Sequence, residues 1–299
     1  MIKVQNINFS YQKSDKIIDD LSFDVPKNSI FGFLGANGSG KTTAIRLLLN
    51  LCKPNSGEIL IQNKKIALNY IELYKKIGTL IEDPTYYGHL SGRDNLKLLA
   101  KFYEVDKHRI DEVLDLVGLL YAKDKTANKY SLGMKQRLGI ASSILHNPDI
   151  LILDEPLNGL DPKGIAQIRE LFFKFQEEKK TVFISSHQLN EIENTCSDVC
   201  IIDKGHQLFT GKIKELKSQL TSGESYKITC NKVDQVKLIL STKFKIKSLI
   251  NSDSELTFSL EEKENVPLLV KELVNADIQI FEIVKIESNL EDLYLTLTK

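Results

Sequence analysis

Cysteine is scarce in this 299-residue chain: Cys52, Cys196, Cys200 and Cys230 are the whole complement. Four scattered thiols are too few for a disulfide framework and match no zinc spacing, so reduced thiols in a reducing compartment are expected. Neither sign of charge is in excess, with 40 Lys plus Arg against 40 Asp plus Glu. No bulk field therefore draws the chain to nucleic acid or anionic lipid, and any such partner would have to be held locally. Long apolar runs are missing too, since no stretch approaches the roughly 18 uncharged apolar residues that span a bilayer. The opening residues, MIKVQNINFS, lack the basic-then-apolar order of a signal peptide, and the chain is expected to stay where it is made. No internal repeat or low-complexity segment was found. What is present is globular: 42% hydrophobic and 27% charged residues resemble folded domains, in a length that suits one large domain or two ordinary ones.

Short β-rich runs, Ile2 to Phe9 and Leu21 to Val25, lead to a continuous apolar run, Ile30 to Leu34. From there to about residue 210, apolar runs (Ile77 to Ile81, Ile150 to Leu153, Thr181 to Ser185, Val199 to Ile202) alternate with helical patterns. That alternation predicts an α/β domain with a largely parallel sheet. Ser91 to Glu104, Lys107 to Leu120 and Met134 to Leu145 read as helices with no strand between them, a helical subdomain over about 84–146. The polar segment Lys214 to Glu224 breaks the rhythm. Beyond it, strand and helix patterns from Ser225 to Ile286 predict a small α+β domain over 222–299, after a first domain over 1–215.

Gly35-Ala36-Asn37-Gly38-Ser39-Gly40-Lys41-Thr42 matches G-x-x-x-x-G-K-[ST], directly after an apolar strand pattern and before a helical one. Its glycines let consecutive backbone N–H groups converge on phosphate oxygens. Lys41 reaches the β- and γ-phosphates, and the Thr42 hydroxyl can ligate Mg²⁺. The strand Ile150 to Leu153 ends in Asp154 and Glu155, whose side chains leave opposite faces and so suit different work. Asp154 suits the second shell of Mg²⁺, and Glu155 suits a general base polarising the attacking water. His187 follows another apolar strand at the same edge, where an imidazole could bond a γ-phosphate.

These pieces, joined by Tyr130-Ser131-Leu132-Gly133-Met134-Lys135-Gln136-Arg137, resemble the ATP-binding subunits of ABC transporters over about residues 1–215. The resemblance implies a P-loop NTPase core with a parallel sheet, an antiparallel β subdomain and a helical subdomain. It implies ATP contacts from Gly35, Asn37, Gly38, Ser39, Gly40, Lys41, Thr42 and Thr43, with Tyr11 stacked on adenine and His187 as the switch histidine. It makes 130–137 the signature motif, so that Ser131 and Gly133 meet the γ-phosphate held by a partner subunit. Leu132 and Met134 depart from the usual L-S-G-G-Q pattern, although the serine hydroxyl, the Gly133 amide and the helix start still offer anion-binding groups. Asn158-Gly159-Leu160-Asp161 resembles the D-loop.

Glu82 stands where the family usually has glutamine, a carboxylate expected to face Mg²⁺ together with Thr42 and Asp154. This loop, the variant signature and the tail Ser288-Asn289-Leu290-Glu291-Asp292-Leu293-Tyr294-Leu295 are similar to the ATPase subunits of bacitracin-resistance and lantibiotic self-immunity exporters. The resemblance implies an ATPase that closes head to tail with a second copy around two ATP·Mg²⁺. It implies polytopic permease subunits as partners and a cytoplasmic, peripheral place on the inner face of the membrane. The apolar loop of Pro84, Tyr86, Tyr87 and Leu90 is a candidate transmitting surface. The rival, a soluble ABC ATPase acting on ribosomes or DNA, is disfavoured by the single ATPase unit, the lack of sustained heptads and the zero net charge.

Overall fold

A computed structural model describes residues 1–12, 15–66, 72–220, 224–252, 255–260, 265–286 and 290–297, and the chain separates into two compact units. Of the tail motif, Ser288 and Asn289 lie outside the described residues. The first unit, Met1–Ile213, carries a ten-stranded sheet among the described residues. Its strands are β1 (Ile2–Ser10), β2 (Lys16–Val25), β3 (Ile30–Leu34), β4 (Ser56–Ile61), β5 (Lys64–Lys65), β6 (Ile77–Leu80), β7 (Ile150–Leu153), β8 (Thr181–Ser186), β9 (Asp198–Asp203) and β10 (His206–Lys212). They lie in the order β5-β4-β1-β2-β10-β9-β3-β8-β7-β6. β9, β3, β8, β7 and β6 run parallel, whereas β2, β1, β4 and β5 form an antiparallel wing.

The parallel strands are apolar on both faces because helices cover both. Every residue of β3, β7 and β8 is buried. Phe183 of β8 is fully buried and stacks at 5.7 Å on Phe31, with Phe33 at 5.6 Å and Phe23 at 6.2 Å. The helices are α1 (Lys41–Leu48), α2 (Gly92–Phe102), α3 (His108–Leu116), α4 (Leu132–Ile144), α5 (Pro162–Glu177) and α6 (Leu189–Thr195). Between β6 and β7 the ordered elements are α2, α3, two short 3₁₀ turns and α4, with no strand among the described residues.

The second unit is Lys214–Thr296. A helix, α7 (Ile213–Leu220), runs through the polar segment that the sequence pattern reads as a break. Ile213, Leu216 and Leu220 recur at helical spacing, and burial of Ile213 and Leu216 outweighs the polar residues between them. Next come β11 (Glu224–Cys230), α8 (Val233–Lys243), β12 (Ile246–Ser252), β13 (Glu255–Leu260), α9 (Asn265–Asn275), β14 (Ile280–Ile286) and α10 (Leu290–Leu297). The four strands form an antiparallel sheet in the order β12-β13-β11-β14. Tyr226, Ile228, Leu256, Phe258, Leu269 and Leu273 give this α+β unit its own core.

All four cysteines are unpaired, and burial pushes the thiols of Cys196 and Cys200 well up from their ordinary range, which keeps them protonated and unreactive. Phe183→Ala would remove the shared ring of the parallel core. We expect a loss of about 3–5 kcal/mol in the urea unfolding free energy of the first unit, and a loss below about 1 kcal/mol would contradict this packing.

Candidate active site

β3 sits between β9 and β8 and delivers residues 35–40 to the start of α1. Gly38 (φ 81°) and Gly40 (φ 105°) take left-handed backbone that other residues rarely adopt, which turns the loop over the helix end. At Gly35 the reason for glycine is space: a Cβ there would stand 2.4 Å from Ser39 Oγ and 2.6 Å from the Ile202 carbonyl oxygen. Lys41, buried as the first residue of α1, donates from Nζ to the carbonyls of Gly35 (2.9 Å) and Ala36 (3.2 Å). Ser39 Oγ is buried with no hydrogen-bond partner among the described residues, an orphaned hydroxyl that a polar ligand would satisfy. Asn37 and Gly38 are exposed on the loop, while Thr42 and Thr43 are half-buried on the first turn of the helix.

The acids arrive from two strands away. Register pairs Leu34 with Ser186 and Leu153 with Ile184, so the carboxyl ends of β3, β8 and β7 finish side by side. Asp154, buried, accepts a bond from Thr42 Oγ1 at 2.8 Å on Oδ2 and one from Ser185 Oγ on Oδ1. Glu155 follows with φ 47°. Its carboxylate lies 3.4 Å from Lys41 Nζ and 3.0 Å from His187 Nδ1. Lys41, Thr42, Asp154, Glu155 and His187, all inferred from sequence, are thus one cluster. A base, an orienting imidazole and a phosphate-binding ammonium meet where a γ-phosphate would lie.

Glu82 is placed otherwise. Its side chain, 55% exposed, pairs with Arg46 Nη2 rather than with Thr42 and Asp154, and the residue sits at φ 56° two positions beyond β6. Arg46 Nη1 also donates to Tyr11 Oη at 3.2 Å. The Tyr11 bond, and then the Glu82 charge, hold the guanidinium pKa above its ordinary value. Tyr11 itself is 55% exposed, and its ring and that of Phe9 form a T-shaped pair at 4.8 Å.

Ser131 is exposed and caps α4, its Oγ accepting from the Met134 amide at 3.3 Å, and Gly133 lies against the Gly159 carbonyl. Arg137 reaches Asp161 Oδ1 at 3.3 Å, and Asp161 in turn caps α5. In the apolar loop Tyr87 is exposed, whereas Tyr86 lies under Lys135 and Pro84 faces Gly139. Beside it, Leu49, Leu51, Ile81, Phe102, Tyr103 and His146 line a cleft of about 660 Å³. There His146 stacks on Tyr103 at 4.2 Å, and burial lowers its imidazole pKa.

Three residues in contact with the site were given no role from sequence. Ser185 and Gln136 touch the backbone of Glu155, and Arg46 holds Tyr11 and Glu82. Gln136 lies inside the signature pattern, and Arg46 is five residues beyond Lys41 on the same helix, but no motif marks Ser185.

Residues 18–158 match the model of the ABC transporter family. The bacitracin transport ATP-binding protein BcrA of Bacillus licheniformis is 47% identical over 210 residues, covering 70% of this chain and 68% of that one. The chain belongs to the ABC transporter ATP-binding family. The lantibiotic transport ATP-binding protein SrtF of Streptococcus pyogenes is 38% identical over 69% of this ABC protein and 88% of its own length. Among solved structures, the dimeric ATP-binding cassette MJ0796 in a post-hydrolysis state with ADP and Pi superposes with a TM-score of 0.65. It is 26% identical and covers 71% of this chain and 99% of that one. This ABC protein is therefore an ATP-binding ATPase of the bacitracin and lantibiotic branch. Gly35→Ala should lower its ATP affinity about tenfold or more in a fluorescent-nucleotide titration, since the new Cβ displaces the loop. Unchanged affinity would contradict the loop geometry.

Proposed function

We propose that this chain is the ATP-hydrolysing subunit of an exporter that removes an antimicrobial peptide of the bacitracin or lantibiotic type. The observation that carries the reading is the Lys41–Glu155–His187 cluster beside Thr42–Asp154, a site built for hydrolysis and not only for binding. The names of the relatives, bacitracin transport and lantibiotic transport, support the choice of cargo.

In this reading ATP lies over residues 35–43 with its adenine on the ring of Tyr11. Lys41 leaves the loop carbonyls for the β- and γ-phosphates. Asp154 and Thr42 suit Mg²⁺: both offer oxygen, and the recorded partners of the buried Asp154 carboxylate are two hydroxyls, which leaves its charge to be matched by a cation. When bound, Mg²⁺ would neutralise charge on the phosphate oxygens. Glu82 would join that oxygen shell only after releasing Arg46. Glu155 takes up the proton of the attacking water, with its carboxylate oriented by His187 Nδ1.

Each chain has one phosphate loop and one signature segment, so two copies closing head to tail complete two sites. Ser131 and Gly133 of each copy then face the γ-phosphate held by the other. Closing and reopening drive permease subunits, whose cytoplasmic segments seat in the apolar cleft of Leu51, Phe102 and Tyr103, where Phe102 is 79% exposed. The protein thus works at the cytoplasmic face of the membrane. No helix among the described residues is long and apolar enough to cross the membrane itself. Glu155→Gln, expected to bind ATP without turning it over, should elute as a dimer in ATP and Mg²⁺ and as a monomer without them. A variant that stays monomeric in both conditions contradicts the head-to-tail closure.

A further inference from the structure

We propose that Ser185 is the positioning residue that sets both acids of the site, a role that rests on reading Glu155 as the base. Ser185 is the penultimate residue of β8, follows the apolar Val182, Phe183 and Ile184 with Ser186 after it, and is fully buried. A hydroxyl has one hydrogen to give and lone pairs to accept with. Here the hydrogen goes to Asp154 Oδ1, and a lone pair receives the Glu155 amide at 3.0 Å.

Each bond has a separate consequence. With Oδ1 held by Ser185, the Asp154 carboxylate has its orientation fixed, and Oδ2 is left on the Thr42 side. The second bond acts on Glu155, which adopts left-handed backbone at φ 47°, unfavourable for a residue with a Cβ. The Glu155 amide is held by Ser185 and the Glu155 carbonyl, in the next peptide group, by Gln136 Nε2 at 3.1 Å. With both ends fixed, the Glu155 side chain meets Lys41 and His187 instead of following the strand direction. Valine or isoleucine would suit the packing of a parallel strand, and the Ser185 hydroxyl, at 0% exposure, has its bonds to the two acids to account for it.

The test compares Ser185→Ala with wild type in steady-state ATPase assays and in ATP binding without divalent ion. We expect kcat to fall about tenfold or more, with the KM for ATP and the metal-free affinity within about twofold. The Mn²⁺ concentration for half-maximal turnover should rise. Ser185→Cys, of similar volume but a weak donor, should show the same split and serves if the alanine variant folds poorly. Parallel loss of nucleotide binding and turnover would overturn the proposal, since the hydroxyl would then only hold the strand end together. Wild-type kcat in both variants would overturn it as well. Glu155→Gln, run alongside, separates the two readings: its retained turnover sinks the base, whereas its inactivity beside a fully active Ser185→Ala sinks Ser185 alone.

Discussion

A lysine ammonium at 7% side-chain exposure is stable only where its charge is matched, and Lys41 has Glu155 Oε1 at 3.4 Å with two loop carbonyls completing its donors. The match is made across three strands. Lys41 follows β3, Glu155 follows β7, and β8 lies between them, so a one-residue slip in either pairing would turn the acids to the wrong face. The Phe31, Phe33 and Phe183 rings and the fully buried β7 therefore do more than stabilise: they hold the register on which the charges depend. Strands buried on both faces, meeting a loop that needs two left-handed glycines, are what the sequence from Ile30 to Lys41 encodes.

From Glu155 onward the chain is tied to the signature helix at several points. Gln136 bonds the Glu155 carbonyl, Leu132 and Gly133 lie against Gly159, and Arg137 pairs with Asp161. A shift of the α4 start would thus be felt at the backbone of Glu155. These contacts join, within one chain, the segment that resembles the signature motif to the backbone of Glu155.

Much of the site was legible because its determinants are local. Residues 30–43 carry strand, loop and helix start in sequence, and Asp154-Glu155 and His187 each close an apolar run. What stayed hidden depends on side chains meeting across the fold. Ser185 reads as one more small residue in a β pattern until register sets it beside Asp154. Glu82 offers a carboxylate to metal or to an organic cation alike, and its ion pair with Arg46 of α1 could not be read from local sequence. In the fold, alternation and turn residues located β3, β7 and the strands and helices between Ser225 and Ile286, but not α10 (Leu290–Leu297). The order β12-β13-β11-β14 follows from non-local pairing that no local pattern records. α7 was missed because charged residues mask a spacing of only three apolar positions.

The measurement that bears most directly on the account is co-purification of the tagged chain from gently solubilised source membranes in ATP, wild type beside Phe102→Asp. The account predicts polytopic membrane subunits with the wild type and their loss with the variant, while nucleotide binding is kept. Recovery of ribosomal proteins or nucleic acid in place of membrane subunits would contradict it.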